Sequence, residues 1–370
     1  MRRKHFAAWA PHCPICIRDR GQSLPLLLGE ITAEAQDDVE AATLVCAEAS
    51  CRAEFPIIDG IPIIMANLRQ HLGERAVELL LRDDLDPAVL SLLGDALGPD
   101  SWFDQIRQGV STYAWDSYAD ADPAEAAGAQ LPGAARRCLA ALLALIDPVA
   151  VAAAGRVLDL GCAGGRTAFE VAAAAPSGLV LGIDSNLSLL RLARRAARQG
   201  EVDYDRRRIG LVYDRRRFTA DLPGRDRVDF WACDATALPL AAGSADLILA
   251  LNLLDCVPDP VGFLHHLAAM LRPGGALLVA TPFDWATRAT PALHWIGGHS
   301  QRGPGAGAAE PLLRSLLAGE HERGPAGLTV VGETDQDWHT RLHERAAVSY
   351  RTHCIAAKKT ILRHALDKQM

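Results

Sequence analysis

Arg156–Arg166 reads RVLDLGCAGGR, an apolar strand that runs into a turn holding Gly161, Gly164 and Gly165. Glycine lets the backbone turn tightly and lets a ligand approach it with no Cβ in the way. A loop of this kind also suits dinucleotide enzymes, so alone it says little. Three carboxylates narrow the chemistry. Asp159 stands two residues before the first glycine, Asp184 closes a second strand in GIDSN, and Asp234 closes a third in FWACDA. An acid after the second strand can accept hydrogen bonds from both ribose hydroxyls. Asp159 can meet a cationic amino group near the loop, and Asp234 can receive an adenine amino group. Together they describe a pocket for a nucleoside with a positively charged amino-acid tail and no pyrophosphate.

A second constellation lies near the N-terminus. Cys13 and Cys16 form C-x2-C, and after 29 residues Cys46 and Cys51 form C-x4-C. Four thiolates suit a closed tetrahedral zinc site that organises a segment too small to bury much core. The alternative is the same ribbon without metal, carrying free thiols. Nine cysteines in 370 residues are too dilute for a disulfide scaffold. In a reducing compartment such pairs favour metal over disulfide.

The motifs VLDLGCAGG, GIDSN, CDATALPL, SADLILALNLLDCV and LRPGGALLVATP follow one another between Gly155 and Pro282. In that order they resemble the class I S-adenosylmethionine-dependent methyltransferases. The resemblance implies an α/β fold, a Rossmann-like seven-stranded methyltransferase sheet whose last strand runs antiparallel. It also implies S-adenosyl-L-methionine as cofactor. Asp159, Gly161, Ala163 and Gly164 fall to the methionine end, with Cys162 in the loop by position. Asp184 and the following Ser185 fall to the ribose, Asp234 and Ala235 to the adenine, and Asn252 to the end of the fourth strand. The sulfonium is already activated, so no general base follows from these motifs, and the catalytic residues stay unassigned.

Cys13 to Met65, ending in FPIIDGIPIIM, resembles the zinc-ribbon family of small activator subunits that partner tRNA and protein methyltransferases. That likeness implies structural zinc on Cys13, Cys16, Cys46 and Cys51, and an RNA or protein partner through the ribbon. Residues 110–358 carry DW…TP…W-x-GG within Thr281–Ser300, and DWHTRLHER at Asp337–Arg345 with Arg341 and Arg345. These resemble the methyltransferase of ovothiol biosynthesis, which methylates an imidazole nitrogen of 4-mercaptohistidine. The expected acceptor is a small nitrogen- or sulfur-containing molecule, a thiol-histidine type being the specific guess. Its candidate contacts are Tyr113 and Tyr118 in YAWDSY, Asp284, Trp285, Trp295 and Arg341. The aromatic residues have an equally good reading as packing anchors. Two rivals are an RNA methyltransferase that docks through the ribbon and a pseudoenzyme whose ribbon recruits a partner.

These residues need elements to position them. Alternation places strands at Arg156–Leu160, Leu179–Asp184, Val228–Cys233, Ala245–Leu251, Ala276–Thr281, Leu328–Glu333 and Val348–Ala356, with helices after most of the first five. That pattern predicts a largely parallel sheet with helices on both faces. Three units follow: a zinc-ribbon-like domain over 1–66, a helical linker and cofactor lid over 67–133, and the catalytic domain over 134–370. Leu72, Val77, Leu80 and Leu81 recur at helical spacing, and Leu85 to Leu97 continue it; Ala119–Gly133 reads as a loop, and a helix leads from Ala134 to Gly155. Within Glu201–Arg227, YDRRR occurs twice. Eight arginines stand there against six acids, too small an excess for a phosphate-binding surface and better read as a salt-bridged insertion. The chain's net charge of −7 and sequence pI near 5.9 also argue against binding nucleic acid by global charge. No apolar run is long enough for a membrane span and no secretory signal core is evident, so a cytoplasmic location is expected.

Overall fold

In the computed structural model, residues 1–81, 85, 87–126 and 131–361 are described. Parts of the expected linker, of the Ala119–Gly133 loop and of the C-terminal unit therefore lie outside the described residues. Thirteen strands are present among them: β1 (Leu26–Ala35), β2 (Asp38–Cys46), β3 (Glu54–Ile58), β4 (Ile61–Ile64), β5 (Arg156–Leu160), β6 (Leu179–Asp184), β7 (Glu201–Ile209), β8 (Val212–Thr219), β9 (Val228–Cys233), β10 (Ala245–Leu251), β11 (Leu271–Thr281), β12 (Leu328–His343) and β13 (Ala346–Lys359).

Eleven of them form one sheet, in the order β1-β2-β3-β4-β9-β6-β5-β10-β11-β13-β12. The seven from β9 to β12 make the expected core. Strands β9, β6, β5, β10 and β11 pair in parallel, and β13 runs antiparallel to both of its neighbours. Every residue of β9 and β10 is buried, as parallel strands covered on both faces require. Their side chains alternate between two cores. Leu247, Leu249 and Leu251 join one, with Trp115, Tyr118 and Phe169. Ile248 and Ala250 join the other, with Leu264 and Leu267 of the helix Pro260–Met270.

The N-terminal strands continue this sheet. Ile63 and Ile64 of β4 pair in parallel with Ala232 and Cys233 of β9. Trp9, Leu44 and Phe55 share a continuous core with Leu158, Leu181 and Trp231. Three arginines on one face of the helix Leu187–Gln199 complete the join. Arg191 pairs with Asp59, Arg194 with Glu40 and Asp38, and Arg198 with Asp38 and Asp229. Asp229 is fully buried. It also accepts the Arg2 amide at 2.9 Å and the Trp231 indole at 3.2 Å.

Three local expectations change. The helix from Ala134 stops at Leu143, and a separate helix begins at Pro148, because Asp147 caps the new start and proline cannot donate within a helix. β12 and β13 are longer than the sequence pattern indicates and form a hairpin that projects past the sheet. The insertion that carries YDRRR twice is a second, two-stranded sheet, β7 with β8.

Removing the Asp229 carboxylate leaves Arg198 half-satisfied at the seam between N-terminal strands and core. Asp229→Ala is expected to destabilise the fold by about 3–5 kcal/mol, as loss of one partner of a buried pair does. Urea unfolding checks this, and an unchanged midpoint would mean that the seam contributes little.

Candidate active site

Strand order reverses at β5, which has β6 and β9 on one side and β10 and β11 on the other. The crevice beyond the carboxyl ends of β5 and β10 is therefore the expected binding site. The glycine loop sits there. Gly161 has φ +69° and donates its amide to the Ile183 carbonyl at 2.8 Å, as Cys162 does at 3.1 Å. A Cβ on Gly164 would stand 2.7 Å from the Ser117 hydroxyl, and one on Gly165 would stand 2.6 Å from the Phe230 ring at φ +85°. Both positions therefore exclude a side chain, one for close packing and one for packing and backbone conformation together.

Asp184 holds this loop from the neighbouring strand. Its carboxylate accepts the Ala163 amide and the Asn186 amide, each at 2.9 Å. Burial raises its pKa, against the pull of the Asn186, Ala163 and Ser185 amides. Asp234, exposed at the end of β9, accepts the amide and hydroxyl of Thr236 at 2.8 and 2.7 Å, with Ala235 half-buried beside it. Asn252 has φ +50° and donates its backbone amide to the Ala280 carbonyl, while its side-chain oxygen is buried without a partner among the described residues. An orphaned acceptor, two carboxylates with lone pairs to spare and a cradle of glycine fit a nucleoside-bearing ligand.

Two expected contacts have other duties. Asp159 is buried below the loop, where its carboxylate accepts the Thr167 hydroxyl at 2.6 Å. Burial pushes its pKa up to about 7, the Thr167 bond opposes this, and Asp184 adds to it. Tyr118 is not an open acceptor contact. It is fully buried, and its hydroxyl donates to the Gly164 carbonyl at 2.5 Å. Cys162 is a packed thiol against Gly182.

Above the crevice, side chains from four segments converge. Tyr113 is half exposed; crowding around its ring raises its pKa, and the charges of Cys256, Asp184 and Asp255 push the same way. Tyr350 of β13 lies near Asp284, Tyr113 and Asp255, and burial raises its pKa, with those groups adding to the shift. Buried Asp255 accepts the Asp284 amide at 2.8 Å. Tyr350, Asp255 and Cys256 are site residues that the motifs did not reveal. Asp255 and Cys256 lie just past the end of β10, at the close of SADLILALNLLDCV, whereas Tyr350 lies within β13. Beside them Trp285 and Trp295 stack at 6.1 Å and 13°, and Phe283 stacks on His353 at 6.1 Å. Trp295 donates its indole to the Thr290 carbonyl at 2.8 Å, so it anchors this wall, whereas the Trp285 indole has no partner among the described residues. Arg341 is not with this group. It packs on Trp115 at 5.6 Å, beneath the β7–β8 hairpin.

The four N-terminal cysteines meet as expected. Their sulfurs all lie within 4.8 Å of one another, with Cys13–Cys51 and Cys16–Cys46 at 3.8 Å. A tetrahedron of zinc–sulfur bonds of about 2.3 Å has sulfur–sulfur edges of about 3.8 Å. The donor set therefore fits zinc.

Residues 158–279 match the family model described as a methyltransferase domain. The fold is that of a methyltransferase domain. Among curated proteins, the chain is 30% identical over 138 residues to a ubiquinone/menaquinone biosynthesis C-methyltransferase of Syntrophotalea carbinolica, covering 37% of this chain and 48% of that protein. It is 28% identical over 125 residues to a ubiquinone biosynthesis O-methyltransferase of Coxiella burnetii, 34% of this chain and 42% of that one. An uncharacterised protein of a Streptomyces fradiae transposon matches at 34% over 129 residues, 35% of this chain and 30% of that protein. The chain thus spans less than half the length of these relatives. A solved methyltransferase of Methanosarcina mazei is 22% identical and has a TM-score of 0.37, over 56% of this chain and 92% of that one. Among the described residues no helix is long and apolar enough to cross a membrane.

Buried Asp159 gives a pH signature. Below pH ~4 it is protonated in both the folded and the unfolded chain. As pH rises to 7 the unfolded chain ionises first, so this group costs up to about 4 kcal/mol of stability. Asp159→Asn is expected to flatten the fall in stability between pH 4 and 7, read by urea unfolding at several pH values.

Proposed function

We propose that the protein is an S-adenosylmethionine-dependent methyltransferase acting on a small molecule. The observation that carries this is the glycine loop at the strand-order switch, fixed by Asp184, inside the stretch that matches the methyltransferase domain. Asp184 and Ser185 face the ribose, Asp234 and Ala235 the adenine, and Asn252 and the loop of Gly161 to Gly164 the amino-acid tail. Asp159 orders that loop through Thr167. When bound, the sulfonium supplies an activated methyl group and its own leaving group. The chain's task is then to hold the acceptor in line and keep water out.

Tyr113, Asp255, Asp284 and Tyr350 at the mouth, beside the Trp285–Trp295 stack, favour a flat acceptor that carries a basic nitrogen. This suits a small nitrogen or sulfur acceptor, a thiol-histidine type included. The arginines of the YDRRR doublet speak against RNA. Arg206 pairs with Glu125, Arg215 with Asp203, Arg216 with Asp122 and Arg217 with Glu201; Arg207 bonds Gln108, and Arg208 lies 3.8 Å from Asp214 and Glu344. None of the six is held ready for a phosphate. Structural zinc on Cys13, Cys16, Cys46 and Cys51 belongs to the same reading.

Calorimetry with S-adenosylmethionine is expected to give one site, weakened roughly 100-fold or more in Asp184→Ala, since loss of a charge-assisted ribose bond is compounded by a loosened loop. No binding by a folded protein would favour a pseudoenzyme. Labelled cofactor with fractionated cell extract should mark small molecules; label in RNA would overturn the acceptor class. Elemental analysis is expected to find one zinc per chain, and Cys16→Ser should release it.

A further inference from the structure

Two helices turn matching stripes toward one space. Phe103, Ile106, Arg107 and Val110 stand at i, i+3, i+4 and i+7 on the helix Trp102–Tyr118. Ser188, Arg191, Leu192 and Arg195 repeat that spacing on the helix Leu187–Gln199. Stripes of this kind ordinarily press into a core. Here they line a cavity of about 130 Å³, together with Tyr204 of β7, Arg215 of β8, and Leu81 and Leu90.

The apolar lining is not spent elsewhere. Leu90 is 7% exposed and Phe103 5%, yet neither belongs to the two hydrophobic cores, and nor do Leu81, Ile106 and Val110. Side chains around a void forgo the dispersion contacts that a filled space gives them. An apolar guest restores those contacts and takes the remaining apolar surface out of water. Volume sets the guest's size, since a cavity of about 150 Å³ admits benzene.

The rim sets its chemistry. Arg107 pairs with Asp205 at 3.1 Å, Arg215 with both Asp203 and Asp205, Arg195 with Asp203 at 3.6 Å, and Arg191 with Asp59 at 2.8 Å. These charges answer one another, so the space calls for no counter-ion. Rings already lie among them. The Arg107 guanidinium is 5.4 Å from the centre of the Phe103 ring and 3.9 Å from that of Tyr213. An aromatic face extends this set of rings and cations, which a saturated ring of similar size does not.

We propose that the cavity between these two helices is a binding site for a small uncharged aromatic molecule, about one six-membered ring in size. It shares none of its lining residues with the crevice and does not depend on the methyl-transfer reading. Its occupant braces both helices that lead there: Val110 stands one turn before Tyr113, and Ser188 four residues after Asp184.

The test needs no S-adenosylmethionine, so its outcome is separate from that reading. Thermal unfolding of the full chain is followed in sealed cells with benzene and, at equal concentration, with cyclohexane. Benzene is expected to raise the wild-type Tm with concentration, and cyclohexane to raise it less. The rise should vanish in Val110→Phe, whose added ring takes up the space. It should persist in Val149→Phe, where the substituted residue is 72% exposed on a different helix. If Val110→Phe fails to fold, Ile106→Trp fills the same space and carries the comparison. No rise in the wild type, or an equal rise in the wild type and the filled variant, overturns the site. An equal rise with cyclohexane overturns the aromatic assignment. Calorimetric titration with benzene should saturate at one site per chain; heat that never saturates would mean general partitioning into the fold, which also overturns the site.

Discussion

One carboxylate holds the crevice in shape. Asp184 ends β6, yet it bonds the Ala163 amide in the loop after β5, so the two strands that flank the ligand space share a single anchor. From below, the Ile183 carbonyl takes the Gly161 and Cys162 amides. From above, the Tyr118 hydroxyl donates to the Gly164 carbonyl, and Arg166 donates to the Ser117 carbonyl at 2.8 Å. The loop is thus pinned on three sides, by the Asp184 carboxylate, the Ile183 carbonyl and the Tyr118 hydroxyl, and its glycines let these groups approach closely. Preorganisation of this sort means that a ligand need not spend binding energy on ordering the loop.

Much of the core was legible in the sequence, for a simple reason. Strands buried on both faces, such as VDFWAC and ADLILAL, are short, continuous and apolar, and four strand boundaries fall where the pattern puts them. Glycines and strand-end acids are legible because their backbone duties restrict residue type. Other features were hidden. Tyr350 lies within the expected strand Val348–Ala356, but on its outer, mostly exposed part, where no apolar pattern marks which residue faces the crevice. That β4 would join β9 is a matter of long-range pairing, which no local pattern encodes. Tyr118 and Arg341 were legible as polar-tipped side chains, but whether they face the crevice depends on how one helix is rotated against a hairpin.

The YDRRR doublet finds its explanation in register. Antiparallel pairing sets Tyr204 opposite Arg216, Asp205 opposite Arg215, Arg206 opposite Asp214 and Arg207 opposite Tyr213. A motif written twice, and folded back on itself, therefore meets its own complement at each step. Acid faces base and phenol faces guanidinium, and a slip by one residue would set like charges together. The repeat encodes a hairpin register in the only way a strongly polar, thinly apolar segment can.

The junction of Ile63 and Ile64 with β9 has a consequence for solubility. A parallel sheet that ended at β9 would present fully buried residues and a row of unsatisfied amides as an open border, an invitation to stack with other chains. The first sixty-odd residues seal that border and move the outermost strand to β1, whose outer half is exposed and carries Glu30 and Glu34. The cysteine-bearing segment thereby acts as a hem, keeping the sheet from fraying into aggregates.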